Sequence, residues 1–366
     1  MKLWSWFKDD QVKRIAIRLD AAEAPQPIRP DISYYRIRLV EMFLTNKTWL
    51  AKTWYPALYS SVFADYDGKE IVLPSVADTT KLFEKQTGTG DVIARNFHLT
   101  PLLPYSGGSV ELACGLFALE GEDYMAKVIS VLSDFSALLA QPQVSAALTI
   151  AGPLAAGVQN LFGAKDGLLH LGYHDGWVAP GTKEENPPQT EDAGKAGDNT
   201  FRSGYLAVVR AASDEVDPKK LRVVNQSLHL ATSGGTQPLT GHDHMLLHVE
   251  ERTERPDLSK LTSFYEPFEK ALEALSDDDA TRADTLIRQA LIAARVSPDL
   301  TEADRSRVTR ELKRRYIEAR DDLGFKSLAS SRGSEGEAKK ETQRALKAEE
   351  ALELGVPSFA EAMEGL

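Results

Sequence analysis

Along residues 13–19 apolar and mostly basic positions alternate. Ile15, Ile17 and Leu19 stand on one side and Arg14, Ala16 and Arg18 on the other, a period of two that predicts a half-buried strand. Residues 33–39 follow the same rule, with Tyr35, Ile37 and Leu39 inward opposite Arg36 and Arg38. Two further strands, 57–64 and 69–73, flank Asp65-Tyr66-Asp67-Gly68, where Asp-Gly supplies the positive φ angles of a tight hairpin turn. Residues 79–95 are polar and Gly-containing and predict a loop or a short helix. Residues 109–119 are apolar on both faces, with Val110, Leu112, Cys114 and Leu116 on one and Phe117 and Leu119 on the other, so this strand is expected at the centre of a sheet. Strand patterns return at 167–175, 204–211, 221–230 and 244–251, about nine in all.

The period changes twice. Tyr124, Val128, Val131, Leu132, Phe135 and Leu139 recur at helical spacing, Pro142 closes that helix, and a second runs from Val144 toward Phe162, with a kink expected at Gly152-Pro153. From Phe135 to Ala164 there are thirty residues without a charge, in a chain that is 27% charged. Pro142, Pro153 and several amides and glycines interrupt the run, so no stretch of about 18 to 20 apolar residues is left to span a bilayer. A buried helical hairpin over 122–164 is the expectation. After Arg255-Pro256 the chain turns helical. Thr262 or Ser263 is expected to cap one helix, Asp277 to Asp279 a second, and Thr301 with Asp304 a third. The third carries the stripe Val308, Leu312, Tyr316, Ala319 and Leu323.

These patterns predict a mainly β protein: an antiparallel β-sandwich over 1–255 with the helical hairpin inserted at 122–164, a three-helix domain over 256–324, and a charged tail over 325–366 that is either a marginal helix or disordered. The alternative is an α+β layered sheet covered by the uncharged helices.

Composition narrows the function classes. The 366 residues exceed what one core usually serves. A net charge of -11 opposes the phosphate contacts behind most nucleic-acid affinity, so nucleic acid is not an expected partner. A lone cysteine, Cys114, excludes an internal disulfide and fits a reducing, cytoplasmic setting; in an apolar strand it reads as a buried, inert thiol. The segment MKLWSWFKDDQVKR lacks the apolar stretch of a secretory signal, and Trp4, Trp6 and Phe7 are expected to pack onto the protein or, alternatively, to anchor at a membrane interface.

Candidate chemistry is sparse. In GHDHMLLHV, His242 and His244 share one side of a strand and could contribute to a zinc site if a third ligand joined them, although Met245, Leu247 and Val249 claim the inward side and leave His242, His244, His248 and Glu250 on a polar outer face. Asp65 and Asp67 in the hairpin turn, with Asp175 at the expected end of a strand, are acids of the kind a calcium ion prefers at one rim. No Gly-x-Ser-x-Gly elbow, P-loop or dinucleotide fingerprint occurs. The leading expectation is therefore a non-enzymatic interaction or assembly component without a cofactor. It would meet an acidic partner protein through Arg307, Arg310, Arg314 and Arg315 of the basic third helix. The alternatives are a peripheral membrane protein, docking through calcium or through the hairpin, and a metal-dependent hydrolase built on His242 and His244.

Overall fold

The computed structural model describes residues 14–19, 25–45, 48–49, 52–78, 91–120, 144, 167–181, 199–212 and 214–330. Within them the chain is mainly β, with several antiparallel sheets and three helices. The strands are β1 (Ile15–Leu19), β2 (Tyr34–Leu44), β3 (Thr48–Trp49), β4 (Lys52–Tyr66), β5 (Lys69–Asp78), β6 (Asp91–His98), β7 (Leu103–Pro104), β8 (Ser109–Glu120), β9 (Gly167–Val178), β10 (Gly204–Val209), β11 (Leu221–Val224), β12 (Ser227–Thr232), β13 (Gly235–Pro238) and β14 (His244–Arg252). The helices are α1 (Thr262–Ser276), α2 (Ala280–Arg295) and α3 (Glu302–Ser330).

A six-stranded sheet runs β1-β10-β14-β2-β6, with β7 on β2; a second runs β3-β4-β8-β9, with β5 on β4; a third is the meander β11-β12-β13. Alternation decides how they pack. Tyr35, Ile37 and Leu39 of β2 and Met245, Leu247 and Val249 of β14 enter one buried cluster with Leu58 and Val62 of β4, Leu112, Cys114 and Leu116 of β8, and Leu171 and Tyr173 of β9. Val40, Ala207, Val209 and Leu246 on the other face of the six-stranded sheet join Leu221 and Leu228 of the meander in a second cluster. The six-stranded sheet is thus buried on both faces along part of its length. A bulge in β2 between Leu39 and Glu41 keeps Val40 and Glu41 on the same side and so turns a carboxylate toward the meander.

Several sequence expectations hold. β4 and β5 form the hairpin, with Asp67 at φ 51° and Gly68 at φ 67° in its turn. β8 lies between β4 and β9 as a central strand. Asp279 accepts the Arg282 N–H at 3.1 Å, and Thr301 Oγ1 accepts the Asp304 N–H at 3.2 Å, so both caps are where the spacing put them. Phe264, Phe268, Ile287, Leu291, Val308, Leu312 and Tyr316 form a core of their own among the helices.

Other expectations are corrected. Residues 91–95, expected as loop or helix, belong to strand β6, because β2 offers them and the following residues an antiparallel ladder. Residues 221–230 are two strands joined by Asn225 and Gln226, both at positive φ, and β13 follows, a polar strand without an alternating signature. Neither Thr262 nor Ser263 caps α1; Leu261 holds that position and no side chain bonds the cap. The third helix passes Gly324 and runs to Ser330. The expected hairpin over 122–164 and the amino-terminal aromatics lie outside the described residues, apart from Val144. That residue is helical and fully buried.

Candidate functional site

The residues singled out by the sequence are dispersed. His244 is 1% exposed, because the meander covers the face that alternation left open to water. Its Nδ1 lies 2.9 Å from the His242 carbonyl and must donate to it, and its ring stacks on Phe43. Nε2 then faces the buried Glu41 carboxylate at 3.7 Å. Glu41 in turn accepts from Ser227 Oγ at 2.7 Å and from the Leu228 N–H at 2.7 Å. Burial opposes ionisation of Glu41, yet the nearby His244 ring and the bonds from Leu228 and Ser227 outweigh it and hold the carboxyl below its usual range. This cluster pins the meander to the six-stranded sheet. The His242 Nδ1 lies 3.3 Å from the Arg210 carbonyl.

Asp65 and Asp67 sit at the β4–β5 turn, whereas Asp175 faces Leu112 across the ladder from β8 and is held by Tyr173 Oη and the Gly176 N–H, each at 2.9 Å. Among the described residues no three His, Cys, Asp or Glu side chains converge as metal ligands would. Cys114 is fully buried, and desolvation pushes its thiol up to about 12. Among the described residues no helix is long and apolar enough to cross a membrane.

The arginines of α3 divide by partner. Arg307 binds Asp304 at 2.7 Å and lies 3.8 Å from Glu254. Arg314 is bracketed by Glu311 at 2.7 Å and Glu318 at 2.6 Å. Arg315 lies over the Phe268 ring and donates to Tyr265 Oη. Arg310 bonds the Ser306 carbonyl. Arg310, Arg314 and Arg315 are exposed.

The start of α3 is bound to the sheets by a buried polar network that sequence spacing did not reveal. Tyr34 Oη donates to Asp304 Oδ2 at 2.8 Å and accepts the Thr301 N–H at 3.1 Å. Tyr66 Oη and the Val144 N–H both donate to Asp299 Oδ1, at 2.9 and 2.7 Å, and Arg255 donates to the Asp299 carbonyl at 2.9 Å while pairing with Asp257. Burial raises Asp299 above the usual carboxylate range despite the bonds from Val144 and Tyr66. Tyr34 is raised as well, by burial and then by the Asp304 charge. Tyr34, Tyr66 and Val144 lie more than a hundred residues from their partners at the start of α3, which hides the network from local patterns.

On the same face of β2, Tyr34 is covered by the helices and Val40 and Glu41 by the meander, and between them Arg36 and Arg38 are only half buried. The register sets Tyr205, His248, Arg38 and His98 side by side across β10, β14, β2 and β6, with Glu250 opposite Arg36. Arg38 Nη2 lies 3.1 Å from His248 Nδ1, Arg36 Nη1 lies 3.5 Å from His98 Nε2, and the Tyr205 ring lies 4.4 Å from that of His248. Glu250 accepts from Arg252 at 2.5 Å, and Arg38 Nε is 3.8 Å away on its other oxygen. Burial, and then the Arg38 charge, push His248 down to about 4; burial and the Arg36 charge also lower His98. Chemically this strip offers fixed cations and N–H donors. Alternation alone had placed His248, Glu250, Arg36 and Arg38 on outer faces; only the register made them neighbours. No family model, curated protein or solved structure matches the chain.

Proposed function

We propose that the chain is a non-enzymatic interaction component, a β-sandwich platform that presents a small helical unit to the acidic surface of a partner protein. The sandwich reading is supported by the single buried cluster drawn from the six-stranded sheet and the β4-β8-β9 sheet together. The observation that carries the functional reading is the anchoring of α3: Tyr34, Tyr66 and Arg255 bind its first turn and the residues just before it through buried hydrogen bonds. The exposed Arg310, Arg314 and Arg315 further along the same helix therefore sit on a fixed support. Arg314 already has two carboxylate neighbours, so a partner carboxylate competes there with Glu311 and Glu318, whereas Arg310 has no ion pair among the described residues and is the more available cation.

The test is fluorescence anisotropy of a labelled oligoglutamate peptide with the full chain, at low and at physiological ionic strength. Saturable, salt-sensitive binding is expected. The triple variant Arg310→Glu, Arg314→Glu, Arg315→Glu should lose it, while a variant at three exposed residues of the meander should not. Equal binding by wild type and triple variant would move the contact away from α3, and no binding by the wild type would end the acidic-partner reading.

A further inference from the structure

The half-buried strip of sheet face between the meander and the helices is a second binding site, and the geometry points to a small phosphoryl dianion, free or as a monoester, held by Arg36 and Arg38. The argument begins with charge. Between Tyr34 and the meander, Arg36, Arg38 and Arg252 share this face with one carboxylate among the described residues, Glu250, which accepts from Arg252 and lies 3.8 Å from Arg38 Nε. The nearby acids are otherwise engaged: Asp257 binds Arg255, Glu251 accepts from Ser33 Oγ, and Glu254 faces Arg307. Among the described residues neither Arg36 nor Arg38 has a hydrogen-bonded anion, in a chain whose net charge is -11.

Burial makes that imbalance matter. The Nε atoms of both Arg36 and Arg38 are withdrawn from water and have no hydrogen-bond partner. A desolvated N–H without an acceptor is unfavourable, and more so on a charged group. Burial lowers the Arg36 pKa; Glu250 and Asp257 oppose the shift, and the Arg252 and Arg38 charges add to it.

The two histidines cannot supply the missing negative charge, and they shape the site. A guanidinium has no acceptor, so His98 Nε2 and His248 Nδ1 must be the bare nitrogens of neutral rings, which leaves His248 Nε2 and His98 Nδ1 as N–H donors. Arg36 and Arg38 are two positions apart on one face, roughly 7 Å along the strand, close enough for both forks to converge on one tetrahedral anion. A phosphate monoester carries about -1.5 to -2 at neutral pH and matches the excess of Arg36, Arg38 and Arg252 over the Glu250 carboxylate, whereas a single carboxylate leaves part of it unmatched.

The site makes no use of Arg310, Arg314 or Arg315, so its fate is separate from that of the partner surface on α3. The experiment is a titration of the full chain with inorganic phosphate, phenyl phosphate and glutarate at constant ionic strength, followed by calorimetry and by NMR of arginine Nε–H and histidine ring signals. Saturable phosphate binding that shifts the Arg36, Arg38 and His248 signals is expected, with glutarate weaker. Tighter phenyl phosphate would assign an ester, and tighter inorganic phosphate the free ion. The double variant Arg36→Met, Arg38→Met should weaken binding at least about tenfold, the loss of one or more charge-assisted bonds, while Arg310→Met should bind as wild type does. The wild-type spectra decide the matter even if the double variant fails to fold. No saturable shift at tens of millimolar phosphate, glutarate binding as tightly as phosphate, or an unaffected, folded double variant would each overturn the proposal.

Discussion

His248 sits against Arg38 at 3.1 Å in a half-buried setting, and both burial and the adjacent cation oppose its protonation, so it titrates near 4. The unfolded imidazole binds its proton near pH 6.5. Between those values the unfolded chain carries the extra proton; stability is therefore complete above about pH 6.5 and falls as the pH drops toward 4. Denaturant unfolding across that range should show the loss, His248→Gln should remove its share, and NMR titration should find the His248 pKa higher in Arg38→Met. Glu41 has a different role. Its carboxylate accepts from Ser227 and Leu228 in the interior, so Glu41→Gln should lower unfolding free energy by about 1 to 3 kcal/mol, because a neutral amide replaces charge-assisted bonds to two donors and turns an N–H where an oxygen had accepted. At Cys114 burial leaves the thiol protonated and inaccessible. A disulfide reagent should react with it only at the rate of global unfolding.

The same residue types behave differently according to the element that carries them. Asp67-Gly68 and Asn225-Gln226 both make two-residue hairpin turns with positive φ, yet only the first has a glycine to occupy that region without strain. Gln226→Gly should stabilise the meander by about 0.5 to 1 kcal/mol, read as a shift in denaturation midpoint. A neutral or destabilising result would mean that the Gln226 side chain contributes more than its backbone conformation costs. This turn also explains why residues 221–230 look like one strand: Asn-Gln is a weak turn signal, and apolar residues flank it on both sides. β6 was obscured for the opposite reason. Val92, Ile93 and Phe97 favour a strand, but Asp91, Arg95 and Asn96 break any regular alternation, and pairing with β2 settles the conformation.

At the scale of the whole molecule, a few long-range polar contacts join units that each have their own core. The helices pack around Phe264, Phe268 and Leu312, while the sheets pack around Ile37, Leu112 and Leu247. Tyr34 Oη serves Asp304 and the Thr301 N–H at once, so Tyr34→Phe should leave both without that partner. A loss of about 1 to 3 kcal/mol is expected, together with faster hydrogen exchange at Thr301 and Asp304 while the interior of α2 stays protected. Uniform loss of protection throughout the helices would instead mean that they do not fold without the sheet.

Local periodicity was enough to locate most strands and all three helices, and to separate the sides of β2 and β14, because burying one face imposes a period of two or of 3.6 on the residues themselves. The caps at Asp279 and Thr301 and the turn at Asp67-Gly68 were legible for a similar reason: each is satisfied by atoms within three residues. Tertiary structure alone decided that the meander buries His244, that Asp299 receives Tyr66 and Val144, and that Arg36 and Arg38 meet His98 and His248 on a strip left half open. Those meetings depend on strand register and on which sheet covers which face. Both are set by the sum of contacts between segments far apart in the chain, and no local stretch of residues encodes that sum.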